Sequence, residues 1–320
     1  MTKHHLLTPD WHWQVSEQTP EYIHQWVKQQ EGSGQPDLLL YGAPISRSSI
    51  SASGASLYPQ AFRQMWKKYA TYNLDEDVDL TPYQVVDKGD VAMHTTNIAL
   101  SHQNIEDTAY YLAKHYEGTT ICMIGGDHSV TACAVRGRKA AHPERRIGIL
   151  QFDTHLDVRD PKELGPANGT PIRQLIDGVV VKGEDVINIG LHGYFNTKSL
   201  VDYAKEQGIT MVTLQQARRK GIVATIQQAL ATLQEKVDEI YVTVDMDVLD
   251  ISNAPGVPAS TTGGMLAAEL FEALLEVGKH EAVKAIDFVC LDPMRDSNVE
   301  ETVKVGVYAW LQFVTGRVVG

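Results

Sequence analysis

Three short segments of this 320-residue sequence concentrate aspartate and histidine. They are Gly125-Gly126-Asp127-His128-Ser129, Gln151-Phe152-Asp153-Thr154-His155-Leu156-Asp157 and Thr243-Val244-Asp245-Met246-Asp247-Val248-Leu249-Asp250. In the second, Asp153, His155 and Asp157 alternate with Thr154 and Leu156, and Asp245 and Asp247 alternate in the third. Alternate side chains of an extended chain share one face, so carboxylates and imidazoles converge at strand ends. Without a cation such carboxylates repel one another and their pKa values rise; a bound divalent ion removes the conflict. The donor set His128, Asp153, His155, Asp157, Asp245 and Asp247 offers nitrogen and oxygen but no thiolate, which favours manganese or a similar ion. Six donors exceed what one tetrahedral zinc accepts and suit two ions bridged by carboxylates. Taken singly, a D-x-D pair, a loop histidine or a Gly-Gly turn is commonplace. Three such clusters, each closing an apolar run, point to a metal site.

The elements that must carry these segments are short apolar strands alternating with helical patterns. Strands are expected over residues 38–41, 120–124, 146–152, 186–189, 209–212, 240–244 and 283–289. Helices are expected over 105–115, 129–141, 200–207, 222–235 and 267–278. This alternation predicts an α/β fold, a three-layer sandwich with a mostly parallel sheet and helices on both faces. In such sheets ligands bind beyond the carboxyl ends of the strands, where the three segments fall. The whole of 1–320 reads as a single domain. Residues 1–36 form an N-terminal arm, and the serine-rich stretch 46–56 is a loop.

Composition narrows the partners. The chain is 43% hydrophobic and 21% charged, with a net charge of -12, so neither nucleic acid nor an anionic membrane is an expected partner. Cys122, Cys133 and Cys290 are too few and too scattered for a disulfide framework, and a reducing cytoplasm fits them. No apolar run approaches the ~18 residues of a membrane span, and the first residues lack a signal-peptide core.

The three segments resemble the metal signatures of the ureohydrolase (arginase) family, G-G-D-H-S, D-A-H-x-D and S-x-D-x-D-x-x-D-P, with Thr154, Thr243 and Ile251 as departures. The resemblance runs from Gly42-Ala43-Pro44 to the C-terminal helix. It implies two manganese ions, one held by His128, Asp153, Asp157 and Asp245 and the other by His155, Asp153, Asp245 and Asp247, with Asp153 and Asp245 bridging. It further implies that water activated between the ions attacks an amidine or guanidine carbon. Asp247 would pass a proton to the leaving amine, and Asp250 would either brace the site or cap its own loop. Relatives form trimers or hexamers, so a homo-oligomer is implied.

Within the family the segments Pro44-Ile45-Ser46-Arg47-Ser48-Ser49-Ile50-Ser51, His155-Leu156-Asp157-Val158-Arg159 and Gly165-Pro166-Ala167-Asn168-Gly169-Thr170-Pro171-Ile172-Arg173 are most similar to bacterial formimidoylglutamases. The implied reaction is N-formimidoyl-L-glutamate to L-glutamate and formamide, a step of histidine degradation. Arg159, Arg173 and Arg47 each offer a fork of donors to a substrate carboxylate, with Asn168 and Ser49 adding neutral hydrogen bonds; structural ion pairs are the alternative for each arginine. Two positions depart from the arginase and agmatinase pattern. Asn168 stands where those enzymes carry histidine. Cys290 stands where the family places a glutamate that pairs with the substrate cation, so Cys290 borders the substrate or is a buried small hydrophobe, and Asp287 or Asp292 could replace the lost charge. The alternatives are a guanidino hydrolase releasing urea and a metal-binding homologue with impaired catalysis.

Overall fold

The structure is a computed structural model that describes residues 4–9, 11–13, 20–29 and 34–320. Its strands are β1 (Leu6–Leu7), β2 (Leu38–Ala43), β3 (Tyr72–Asn73), β4 (Val78–Asp79), β5 (Val85–Val91), β6 (Thr120–Gly125), β7 (Ile147–Phe152), β8 (Val186–Leu191), β9 (Thr210–Thr213), β10 (Glu239–Asp245) and β11 (Val283–Val289). Its helices are α1 (Ile23–Trp26), α2 (Tyr58–Met65), α3 (Ile98–His115), α4 (Ser129–Ala141), α5 (Pro161–Leu164), α6 (Pro171–Asp177), α7 (Lys198–Glu206), α8 (Leu214–Lys220), α9 (Ile222–Gln234), α10 (Ala267–Lys279) and α11 (Glu301–Val319). Nine strands form one sheet in the order β1-β5-β2-β6-β11-β10-β7-β8-β9. All its pairings are parallel except β1 against β5.

Side-chain alternation along each strand divides the core in two. Leu40, Ile124, Phe152, Val242 and Phe288 pack with Phe62, Leu230, Leu274 and Trp310 of α2, α9, α10 and α11. Leu39, Met123, Ile149, Tyr241 and Ala285 pack on the other face with Ile105, Ala134 and Leu175 of α3, α4 and α6. Both faces are therefore covered, as the near-continuous apolar runs require.

One central strand escapes the apolar-run pattern. β5 contains Asp87, Lys88, Gly89 and Asp90. It is buried because Arg63 of α2 donates to both oxygens of Asp87, at 2.6 and 3.0 Å, and to Asp90 at 2.8 Å. A bidentate guanidinium satisfies a carboxylate that would otherwise be costly to bury. Helix α3 also begins earlier than its apolar spacing suggests, with the Asn97 side chain capping Leu100 N at 3.0 Å. Of the expected 1–36 arm, residues 1–3, 10, 14–19 and 30–33 lie outside the described residues. The described parts are packed down: β1 pairs with β5, and Ile23 and Trp26 are buried. Among the described residues no helix is long and apolar enough to cross a membrane.

Candidate metal centre

Strand order brings the three segments together. β6, β11, β10 and β7 are neighbours, although β6 and β7 are consecutive in the chain. The chain therefore changes direction across the sheet here, and a crevice opens beyond the carboxyl ends of these strands. Gly126 follows β6 and is clamped between two other loops. Its carbonyl accepts from Cys290 N at 2.8 Å, and an added Cβ would stand 1.7 Å from the Ile45 carbonyl oxygen. Only glycine permits this approach. At Gly190, whose φ is +119°, a Cβ would meet Val248 at 2.4 Å, so close backbone packing supports the site from β8 as well.

Two overlapping groups of donor atoms result. In the first, His128 Nδ1 lies 2.9 Å from an Asp157 oxygen, 3.1 Å from Asp245 and 3.4 Å from Asp153. In the second, His155 Nδ1 lies 2.9 Å from Asp247 and 3.5 Å from the other oxygen of Asp153. Each group has donor atoms within 4.8 Å of one another. Asp153 belongs to both, whereas Asp245 falls only in the first. All six expected donors are thus assembled.

The electrostatics show what the cluster lacks. His128 Nδ1 is buried among three carboxylates yet has no hydrogen-bond partner. Burial opposes protonation of His128, but the close carboxylates of Asp153, Asp157 and Asp245 raise its pKa well above the usual histidine range. His155 is likewise pushed up to about 12, burial opposing and Asp247 and Asp153 prevailing. Burial followed by the Asp153 charge lifts Asp157 to about 6, and burial with Asp245 lifts Asp247 well above its ordinary value. Crowded carboxylates and an orphaned imidazole nitrogen fit a pair of divalent cations, whose four positive charges would balance Asp153, Asp157, Asp245 and Asp247.

Surrounding groups hold the donors in place. Gln151 donates to Asp153 at 2.6 Å, and Asn188 donates to the His155 carbonyl at 2.7 Å. The Asp127 carboxylate accepts from Ser48 N at 3.1 Å and from the Ser129 hydroxyl at 2.5 Å. Behind Ser129 stands His102 of α3, 2.9 Å from its hydroxyl and 3.2 Å from that of Ser48. Asp157 and Cys290 both adopt left-handed backbone, with φ of 52° and 65°. Such non-glycine strain is tolerated where surrounding contacts over-determine it.

The other expected contacts divide. Arg159 is exposed two residues beyond Asp157, lies against Gly169, and has no hydrogen-bond or ion-pair partner for its guanidinium among the described residues. Asn168 accepts from Ile50 N at 2.8 Å. Arg173 is committed elsewhere: it donates to Asp160 at 2.9 Å and Asp177 at 3.3 Å and stacks 4.5 Å from Tyr203. The expectation that Arg173 grips substrate gives way to a structural ion pair, because these neighbours already occupy its fork. Arg47 donates to the His94 carbonyl at 2.8 Å. Asp250 caps its own loop through Ser252 and Gly263 N. Cys290 is buried, and burial with the Asp245 and Asp247 charges pushes its thiol well above the usual range. Neither suggested substitute for the missing glutamate is open. Asp287 is fully buried with both oxygens occupied, and Asp292 accepts from Gly54 N and Met294 N.

Sequence reasoning did not find Gln151, Asn188, His102 or the role of Asp287. A carboxylate in the middle of the apolar run Ala285-Ile286-Asp287-Phe288-Val289 was the available signal, since a buried charge requires a local reason.

A doubly covered parallel sheet with paired His/Asp groups at its carboxyl edge defines a binuclear-metal α/β architecture. The chain belongs to the arginase family, whose profile matches residues 36–315. It is similar to the formimidoylglutamase of Halalkalibacterium halodurans, 36% identical over 278 residues, covering 87% of this chain and 86% of the relative. The crystal structure of formimidoylglutamase from Bacillus subtilis superposes with a TM-score of 0.88 at 31% identity, covering 98% of this chain and 96% of that one. A Trypanosoma cruzi formiminoglutamase variant, solved with two Mn2+ ions, matches with a TM-score of 0.81 at 26% identity, covering 88% and 93%.

Proposed function

We propose that the chain is a manganese-dependent binuclear hydrolase of linear amidine C–N bonds, converting N-formimidoyl-L-glutamate and water to L-glutamate and formamide. The observation that carries this reading is the pair of donor groups sharing Asp153. The similarity to enzymes named formimidoylglutamase supports the substrate, and the two Mn2+ ions of the T. cruzi relative support the metal.

His128, Asp153, Asp157 and Asp245 would hold one ion, and Asp153, His155 and Asp247 the other. Two such cations supply a nucleophile from water near neutral pH. The protein's own groups do the rest. Arg159, with its guanidinium unengaged, would take a substrate carboxylate as a charge-assisted pair, and Asn168 would add its side-chain N–H. Asp247 would carry a proton to the nitrogen that leaves as the glutamate amine, while the amidine carbon departs as formamide. The Cys290 thiol would present a small neutral wall rather than a counter-charge.

Unpaired, buried cysteines suit a cytoplasmic location, and the family supports a homo-oligomeric trimer or hexamer. We read the chain as one domain because a single sheet runs from β1 to β9.

The test is turnover of purified, manganese-loaded protein. Formamide and glutamate should appear in equal amounts. No turnover anywhere from about pH 7 to 10, a range in which hydroxide and a proton carrier are both available, would sink the reading. Urea from agmatine or arginine would select the guanidino-hydrolase alternative, and metal uptake without any turnover the impaired homologue.

A further inference from the structure

Asp287 is an unusual carboxylate. It is fully buried in mid-strand, and among the described residues only hydroxyl groups hydrogen-bond to its side chain. Tyr241 and Thr131 donate to one oxygen at 2.8 Å each, and Thr243 donates to the other at 2.6 Å. Tyr241 and Thr243 sit on β10 with the same parity as Asp245, Thr243 is in register with Asp287 of β11, and Thr131 comes down from α4. The chain thus builds a dry polar column directly behind the first donor group.

The column ends on His128. Its Nε2 lies 2.9 Å from the Thr243 hydroxyl oxygen. A carboxylate only accepts, so the single Thr243 proton is committed to Asp287, and the Thr243 oxygen must accept from His128 Nε2–H. In the neutral imidazole that a cation requires, that leaves Nδ1, the atom facing Asp153, Asp157 and Asp245, as the nitrogen with the lone pair. His155 has no such backing. Its side chain is 26% exposed, and its Nε2 has no partner among the described residues.

We propose that Asp287, acting through Thr243, is a positioning residue for one half of the metal centre: it locks His128 in the Nε2–H tautomer and so makes Nδ1 a permanent donor. The inference rests on reading the cluster as two cation sites. It adds that the two histidines are held differently, so damage to the column is felt by one site and not the other. A column serving only to fill the core would not discriminate between them.

Manganese titration into the full-length metal-free chain, followed calorimetrically, tests this. The wild type should take up two equivalents. Thr243→Val, which keeps the shape and removes the hydroxyl, should weaken one binding event by about 10–100-fold and leave the other within about twofold, and Thr243→Ser should restore it. Asp287→Asn should act in the same direction. In zinc-loaded, diamagnetic protein the His128 Nε2–H resonance should exchange slowly in the wild type and in Thr243→Ser, and be lost in Thr243→Val. Two events weakened alike, or both unchanged in Thr243→Val, would overturn the proposal. A wild-type chain that takes up no manganese would overturn it together with the metal reading beneath it; intact uptake of two ions with no effect of Thr243→Val would overturn the positioning role alone.

Discussion

The side-chain oxygen of Asn168 accepts a hydrogen bond from the backbone N–H of Ile50 at 2.8 Å, tying the loop after β7 to the loop after β2. The return contact, Asn168 N to the Ser48 carbonyl at 3.0 Å, makes the tie double. Ser48 is in turn fastened to Asp127, next to His128. The two loops that border the donor cluster therefore hold one another in place.

Asn168→Ala removes the side-chain half of that tie. A neutral hydrogen bond contributes about 1 kcal/mol, so protection of the Ile50 amide against hydrogen exchange should fall about fivefold. Metal uptake should be unchanged, because the donor cluster does not use this bond.

Arg159 is expected to act on binding rather than on chemistry. Replacing it with methionine should raise KM for formimidoylglutamate by roughly 10–100-fold, the equivalent of about 1.5–3 kcal/mol for a charged hydrogen bond. Manganese stoichiometry and Tm should stay near the wild-type values. Arg173→Met should do the reverse, lowering Tm with little change in KM, since its fork is spent on Asp160 and Asp177.

His102 links stability to acid. Burial, helped by Arg136, lowers its pKa from 6.5 to about 4. Between those values the unfolded chain binds a proton that the folded chain refuses, so this group's contribution is intact above pH ~6.5 and is lost as the pH falls towards ~4. The loss amounts to about 3 kcal/mol at most. Denaturant unfolding of wild type and His102→Gln from pH 7 to 4 should show a stability difference that shrinks as the pH falls. Parallel curves would contradict the burial of a neutral imidazole.

The cysteines should be silent in the folded protein. Cys122, Cys133 and Cys290 are all buried and unpaired. Burial pushes all three thiols up, Cys133 to about 12 despite Arg136. The thiolate is the reactive form, so a chromogenic disulfide reagent at about pH 8 should find almost no thiol in the native chain. It should find all three after unfolding.

Strands read as apolar runs were legible wherever the sheet is covered on both faces, and β6, β7, β10 and β11 fall where expected. β5 was not, because its burial depends on Arg63 arriving from a different element to neutralise Asp87. Helix α3 extends beyond its apolar spacing because its first turns bury Ser101 and His102, which an apolar pattern does not count.

The sequence by itself determined the donor set. The extended alternation expected to align them is not what does so: β7 ends at Phe152, Asp157 has a φ of 52° and Met246–Val248 is a 3-10 turn, so the loops beyond the strands turn the donors together. Tertiary structure decided the rest. That Asp153 rather than Asp245 stands in both donor groups, that Cys290 is buried, that Arg159 is free while Arg173 is engaged, and that Asp287 backs His128 through Thr243 all depend on which strands adjoin and in what register. These pairings join residues far apart in the chain. Periodicity reports which way a side chain points along its own strand, and is silent about what it meets on the next.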